Sequence, residues 1–127
     1  MSAGRLFITL GLALLPLGSA LAAPHIVDLQ WDASGRFAHQ ADVPAGKFVE
    51  VCGALKPGQQ VAWRFSGGAP MDFNIHYHLG KETVYPVQLT AVRQAEQTLQ
   101  VRSAQVHCWM WTNKGHEAAT LSVTLSL

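Results

Sequence analysis

Charge is scarce in this sequence, and what there is of it is balanced. Asp, Glu, Lys and Arg make up 13% of the chain, with nine basic side chains against eight acidic ones. A nucleic-acid-binding surface needs a basic patch or stripe, and none stands out, so nucleic acid is not expected as a partner. Enzyme signatures are missing as well. There is no G-x-S-x-G elbow, no H-E-x-x-H zinc helix, no P-loop and no dinucleotide fingerprint. The carboxylates Asp28, Asp32, Asp42, Glu50, Asp72, Glu82, Glu96 and Glu117 are scattered and form no paired acid–base arrangement. The chain is therefore read as non-catalytic. It also lacks internal repeats, a linker and low-complexity stretches, which leaves room for one domain.

Long apolar runs are confined to the N-terminus. Arg5 supplies a positive start, residues 6–15 are apolar, Pro16 and Gly18 break the run, and Ala20-Leu21-Ala22 gives the small-x-small pattern of a cleavage site. This is the anatomy of a secretory signal peptide, expected over residues 1–22 with cleavage near Ala22. The alternative for the same segment is a buried core helix. The apolar run falls short of the roughly 20 residues that a permanent anchor requires, and nothing later in the sequence is long and apolar enough. No stable membrane anchor is thus expected after cleavage. Neither a twin-arginine pair nor a cleavage-site cysteine is present, which favours the ordinary export route without a lipid anchor. The expected product is a single domain over residues 23–127, periplasmic or secreted. Arg5 is the only charged residue that cleavage removes, so the two signs become equal.

Only two cysteines occur, Cys52 and Cys108. An even count in an oxidising compartment favours a disulfide; two free buried thiols or a metal-bound pair are the alternatives.

The rest of the chain reads as short strands separated by turns. In residues 71–79 every odd position is apolar (Met71, Phe73, Ile75, Tyr77, Leu79) and every even one polar (Asp72, Asn74, His76, His78). Strict alternation of this kind marks a half-buried strand. Residues 59–66 behave likewise, with Val61, Trp63 and Phe65 inward, and so do 97–102 and 119–127. Further strands are expected over 25–31, 47–54, 83–89 and 105–112. Turn-forming clusters fall at 32–35, 44–46, 56–58, 66–70, 79–81 and 113–115. Residues 90–97 are read as a connecting loop or a single helical turn. Regular spacing of short strands predicts an all-β fold, an antiparallel β-sandwich of about seven to nine strands.

One family shows this order of features. Cys52 is followed by Leu55-Lys56-Pro57-Gly58-Gln59, then by a strand with Trp63 and Phe65, then by Met71-Asp72-Phe73-Asn74-Ile75. Cys108-Trp109-Met110-Trp111-Thr112-Asn113 precedes a final apolar strand. Over residues 40–127 this resembles the GOLD-type β-sandwich, the lumenal domain of Golgi cargo receptors and a module of some lipid-transfer proteins. The resemblance implies the fold, a Cys52–Cys108 pairing, and binding of other molecules without catalysis. The coiled coil, membrane helix and sorting tail of the cargo receptors are not seen, so their role is not implied.

Histidine is the remaining source of chemistry. His76 and His78 are two apart on a strand and project from its polar face. Two such imidazoles can share a Zn or Cu ion, with His107 or His116 as a further ligand. His107, Trp109 and Trp111 share one face of their strand, opposite Cys108 and Met110. If that strand lay beside the His76 strand, histidines would stand next to tryptophans, as a metal site or as a ligand surface built on Trp109 and Trp111. The bland alternative is solvent-facing histidines and tryptophans packed under a loop. Asp72 could orient an imidazole or simply be solvated. A blue-copper centre needs a lone Cys thiolate, two histidines and an axial Met. Here His107 precedes Cys108, His116 lies well beyond it, and no Met follows His116. The leading expectation is an exported, non-catalytic β-sandwich that binds a protein partner or a small ligand, with no cofactor. The rival is a periplasmic Cu- or Zn-binding protein using the His-x-His face.

Overall fold

Alternation of apolar and polar side chains dictates the architecture, and it runs further along the chain than the turn signals allow. The computed structural model describes residues 25–127, together with Met1 and residues 13–16. The expected signal peptide lies almost entirely outside these. Among the described residues there are seven strands and no helix, hence none long and apolar enough to cross a membrane. In chain order they are β1 (Ile26–Asp28), β2 (Arg36–Val43), β3 (Phe48–Ala54), β4 (Gln60–Leu79), β5 (Glu82–Gln100), β6 (Val106–Thr112) and β7 (Ala119–Ser126).

The organising element is the long β4–β5 hairpin. The Gly-rich stretch 66–70 is not a turn between two strands, as expected, but a bend inside one strand of 20 residues. Gly67 and Gly68 permit it by close approach. A Cβ on Gly67 would stand 2.6 Å from Met71 Cε, and one on Gly68 2.6 Å from Thr120 Oγ1. Residues 90–97 are likewise strand rather than loop or helical turn. They pair with the first half of β4, and pairing with a neighbour overrides weak local preference. Register shifts interrupt the β4–β5 ladder, and Ala91 takes a positive φ of 52°. These irregularities break the two-residue period of β5, which is why that strand is hard to read from sequence.

One edge of β4 carries β5 along its length. The other edge carries β7 against residues 62–67 and β6 against residues 72–76. The bend therefore splits the sheet into two wings, β4–β7–β2 and β4–β6–β3–β1. β1 pairs with β3 in parallel, while the other pairs are antiparallel. The fold is thus a curled, mixed, seven-stranded sheet rather than the expected antiparallel sandwich. Its strand β2 was absent from the expected set, although Phe37, Ala41 and Val43 do alternate there with polar Arg36, Gln40 and Asp42.

The concave face holds the core. Val61, Trp63, Phe65, Met71, Phe73 and Ile75 of β4 are buried, as the alternation requires, with Val49 and Val51 of β3 and Leu121, Val123 and Leu125 of β7. Tyr77 is only half-buried and Leu79 is exposed at the hairpin tip. Aromatic rings tie the wings together at the bend. Phe73 lies 4.9 Å from Trp63, 4.8 Å from Phe65 and 5.3 Å from Trp111, centroid to centroid. Such pairs contribute about 0.5–1.5 kcal/mol beyond their area.

Candidate functional site on the convex face

Three neighbouring strands set up the site by register. Cys52 of β3 is paired with Cys108 of β6, and Cys108 with His76 of β4. One step along, Glu50 is paired with Met110, and Met110 with Asn74. Directly opposed residues share a face, so this convex surface carries two rows of polar and sulfur-bearing side chains. Cys52 and Cys108 form a disulfide with a Cα–Cα distance of 4.1 Å, which staples two strands that are already hydrogen-bonded.

His76 is the focus. Its side chain is nearly buried, with Nδ1 2.8 Å from Asn74 Oδ1. An amide oxygen can only accept, so Nδ1–H donates to it. That fixes the tautomer, with the Nε2 lone pair free in the neutral ring. Nε2 lies 3.7 Å from Glu50 Oε2, reached diagonally across β6. Burial pulls the His76 pKa below the ordinary histidine value; the Glu50 charge partly opposes this, and His78 adds to it. The His78 ring stands 5.5 Å from His76, edge to face, with its Nδ1 3.2 Å from Thr83 Oγ1. Tyr85 of β5 lies 5.9 Å from His76 on the same side and is 46% exposed.

The other sequence candidates go elsewhere. His107 faces the opposite side of the sheet. It is 1% exposed, its Nδ1–H donates to the Gln105 carbonyl at 2.9 Å, and its ring packs 4.7 Å from Tyr77. Burial lowers its pKa, against a smaller opposing effect of the Gln105 hydrogen bond. His116 is exposed in the β6–β7 loop. That loop adjoins Asp72, which lies four residues from His76, roughly 13 Å along an extended strand. The four histidines therefore do not form one ligand set. Trp109 and Trp111 are fully buried in the core, so they are not an exposed ligand surface. His107, Trp109 and Trp111 are excluded for one reason: the face of β6 that aligns with His76 is the one bearing Cys108 and Met110. Asp72 orients no imidazole. It pairs with Lys114 Nζ at 2.6 Å and accepts the Ala91 N–H at 3.0 Å, and the Lys114 contact foremost holds its carboxyl below the usual range.

Sequence reasoning missed Asn74, Glu50 and Tyr85. Two of them were legible: Asn74 shares a strand face with His76, and Glu50 with Cys52. Tyr85 was not, because the irregular β4–β5 ladder hides which way it points. One donor from each of Glu50, His76 and Cys108 lies within 4.8 Å of the others. The Cys108 sulfur is committed to the disulfide and is not a thiolate, so the oxidised protein offers nitrogen and oxygen donors here.

No protein-family profile matches the sequence, and no curated protein is similar to it in sequence. The fold is similar to solved structures. One is PliG of Aeromonas hydrophila, a periplasmic lysozyme inhibitor of g-type lysozyme. It shares 13% identity, with 80% of this chain and 94% of that chain covered and a TM-score of 0.60. Another is the Yersinia pseudotuberculosis-derived mitogen, at 11% identity, covering 72% of this chain and 85% of that one with a TM-score of 0.57. Both likenesses concern the fold.

Proposed function

We propose that this chain is an exported, non-catalytic β-domain, periplasmic or secreted, that binds a protein partner. The observation that carries the reading is the fold likeness to a periplasmic lysozyme inhibitor over nearly the whole of that protein. The mitogen is a second neighbour of similar fold. A disulfide joining β3 to β6 suits an oxidising compartment. A sheet stapled in this way presents its surface side chains with little ordering cost on binding, the general route by which preorganisation raises affinity.

The convex face is the proposed contact surface. Exposed Tyr85 lies beside the largely buried His76–Glu50 pair, and Val106 is 52% exposed on the same face of β6 as Cys108. Tyrosine anchors are enriched at the centres of protein interfaces. Two measurements test this. Calorimetry against g-type lysozyme asks whether the neighbour's target is shared. Independently, a photo-crosslinker placed at position 85 or 106, in the exported protein in its native host, should capture one specific protein. A Tyr85→Ala/Val106→Asp double variant should weaken that complex at least about tenfold. Capture of no protein from either position, together with no lysozyme binding, would refute the reading.

A further inference from the structure

The geometry points to a divalent-metal site on the convex face, in which Glu50, His76 and His78 hold a borderline cation of the Zn(II) or Cu(II) kind while the Cys52–Cys108 disulfide stays intact. The argument starts from the tautomer. Asn74 Oδ1 takes the Nδ1 proton of His76, which leaves the Nε2 lone pair turned toward the Glu50 carboxylate at 3.7 Å. Two electron-pair donors thus face each other with no proton between them. Both side chains are largely out of water, His76 at 11% and Glu50 at 14% exposure. A bound cation resolves it, because both groups become ligands of the same ion.

Further features fit that role. Metal-ligating histidines almost always donate the other ring N–H to a fixed acceptor, which sets ring orientation; Asn74 does this for His76. His78 has its Nδ1 beside Thr83 Oγ1, and its Nε2 has no hydrogen-bond partner among the described residues. The His78 side chain is exposed and can rotate onto an ion seated at His76. Imidazole and carboxylate donors suit Zn(II) and Cu(II), with Cu(II) the tighter by the usual order. Three protein ligands leave at least one position open to water or to a donor from a partner. Neither His107 nor His116 takes part, since one lies on the opposite face and the other at the far end of the strand.

Zn(II) and Cu(II), each alone, are the probes, titrated calorimetrically into tag-free oxidised protein near neutral pH. The expected result is one ion per chain with Kd at or below about 10 µM, tighter for Cu(II). His78→Ala and Glu50→Gln should each weaken binding at least about tenfold, and Asn74→Ala about 10–100-fold through loss of ring orientation. His116→Ala and His25→Ala should leave it unchanged. His78 is exposed, so its variant tests the site without risk to the fold. Nitrogen NMR gives a readout independent of affinity: Zn(II) should shift Nε2 of His76 and His78, and not Nδ1. The proposal is overturned if the oxidised protein binds neither ion more tightly than about 100 µM, or if binding survives both His78→Ala and Glu50→Gln. It is equally overturned if binding is lost on substitution of His116 or His25, or arises only after the disulfide is reduced, which would make it a thiolate site.

Discussion

Asn113 offers a direct test of how the two wings are held. It sits just past β6, 1% exposed. Its Nδ2 donates to the carbonyls of Val43 at 2.9 Å and Glu117 at 2.8 Å, and its Oδ1 accepts the Gly115 N–H at 2.9 Å. Its backbone bonds to Lys47 and Gly46 complete a clasp between the β6–β7 loop and the β2–β3 turn. Replacement by Ala removes three side-chain hydrogen bonds and leaves the backbone ones. Glu117 and Gly115 lie in an exposed loop where water can take over, so each loss costs about 0.5–1 kcal/mol. The Val43 carbonyl belongs to a fully buried residue, and leaving it unpaired costs about 1–3 kcal/mol. The sum is roughly 3 kcal/mol, a large share of the 5–15 kcal/mol typical of a domain. It corresponds to a fall in Tm of roughly 12–24 °C. Equilibrium urea denaturation of the oxidised protein measures it. Asn113→Asp is the sharper control: it keeps the acceptor for Gly115 but turns a carboxylate toward two carbonyl oxygens. At pH 7 it should be at least as destabilised as the Ala variant, with partial recovery in acid as the carboxyl regains a proton to donate. A loss below about 1 kcal/mol for Asn113→Ala, or an Asp variant more stable than the Ala variant at pH 7, would refute the account.

Reducing the disulfide should cost about 4 kcal/mol, the chain-entropy value for a cross-link between residues 56 apart. Urea midpoints with and without a phosphine reductant measure it, and a difference under about 1.5 kcal/mol would mean that β3–β6 pairing constrains the chain without the staple. Stability should also fall on mild acidification. Burial lowers the folded-state pKa of His107 below its unfolded value, so between the two the unfolded chain binds more protons. The stabilisation is complete above about pH 6.5 and is lost as pH falls toward the folded value, at no more than about 1.4 kcal/mol per pH unit for this group. His107→Gln should flatten the profile between pH 7 and 5; an unchanged slope would show that His107 is not the group responsible.

Side-chain parity within each strand was legible because it depends only on the two-residue period of extended chain. The inward set Trp63, Phe65, Phe73 and Ile75 follows from it, and so does the common face of His107, Trp109 and Trp111. Strand ends and strand continuity were not legible. Gly67-Gly68-Ala69-Pro70 has the composition of a turn, yet close packing on Met71 and Thr120 turns it into a bend. Residues 90–97 have no clear period because bulges opposite Met71 and Phe73 shift their register. The β2 segment was passed over, since His39 and Ala41 weaken its apolar face. In the candidate site, His76, His78 and the cysteine pair were readable as chemistry, whereas their companions depended on pairing.

By itself the sequence determined an all-β domain, the inner and outer face of most strands, an export-type N-terminus as the expectation for residues 1–22, and the two cysteines available for a bridge. Each of these is a local property, set by composition or by the period of one strand. Tertiary structure decided the rest: that one bent hairpin feeds two wings, that β1 joins β3 in parallel, and that Cys108 rather than Trp109 stands opposite His76. A one-residue slip between strands would have placed His76 beside the tryptophans. Register is a relation between distant segments, chosen by which faces bury together, and it is what separates a histidine–tryptophan surface from the Glu50–His76–disulfide face the protein has.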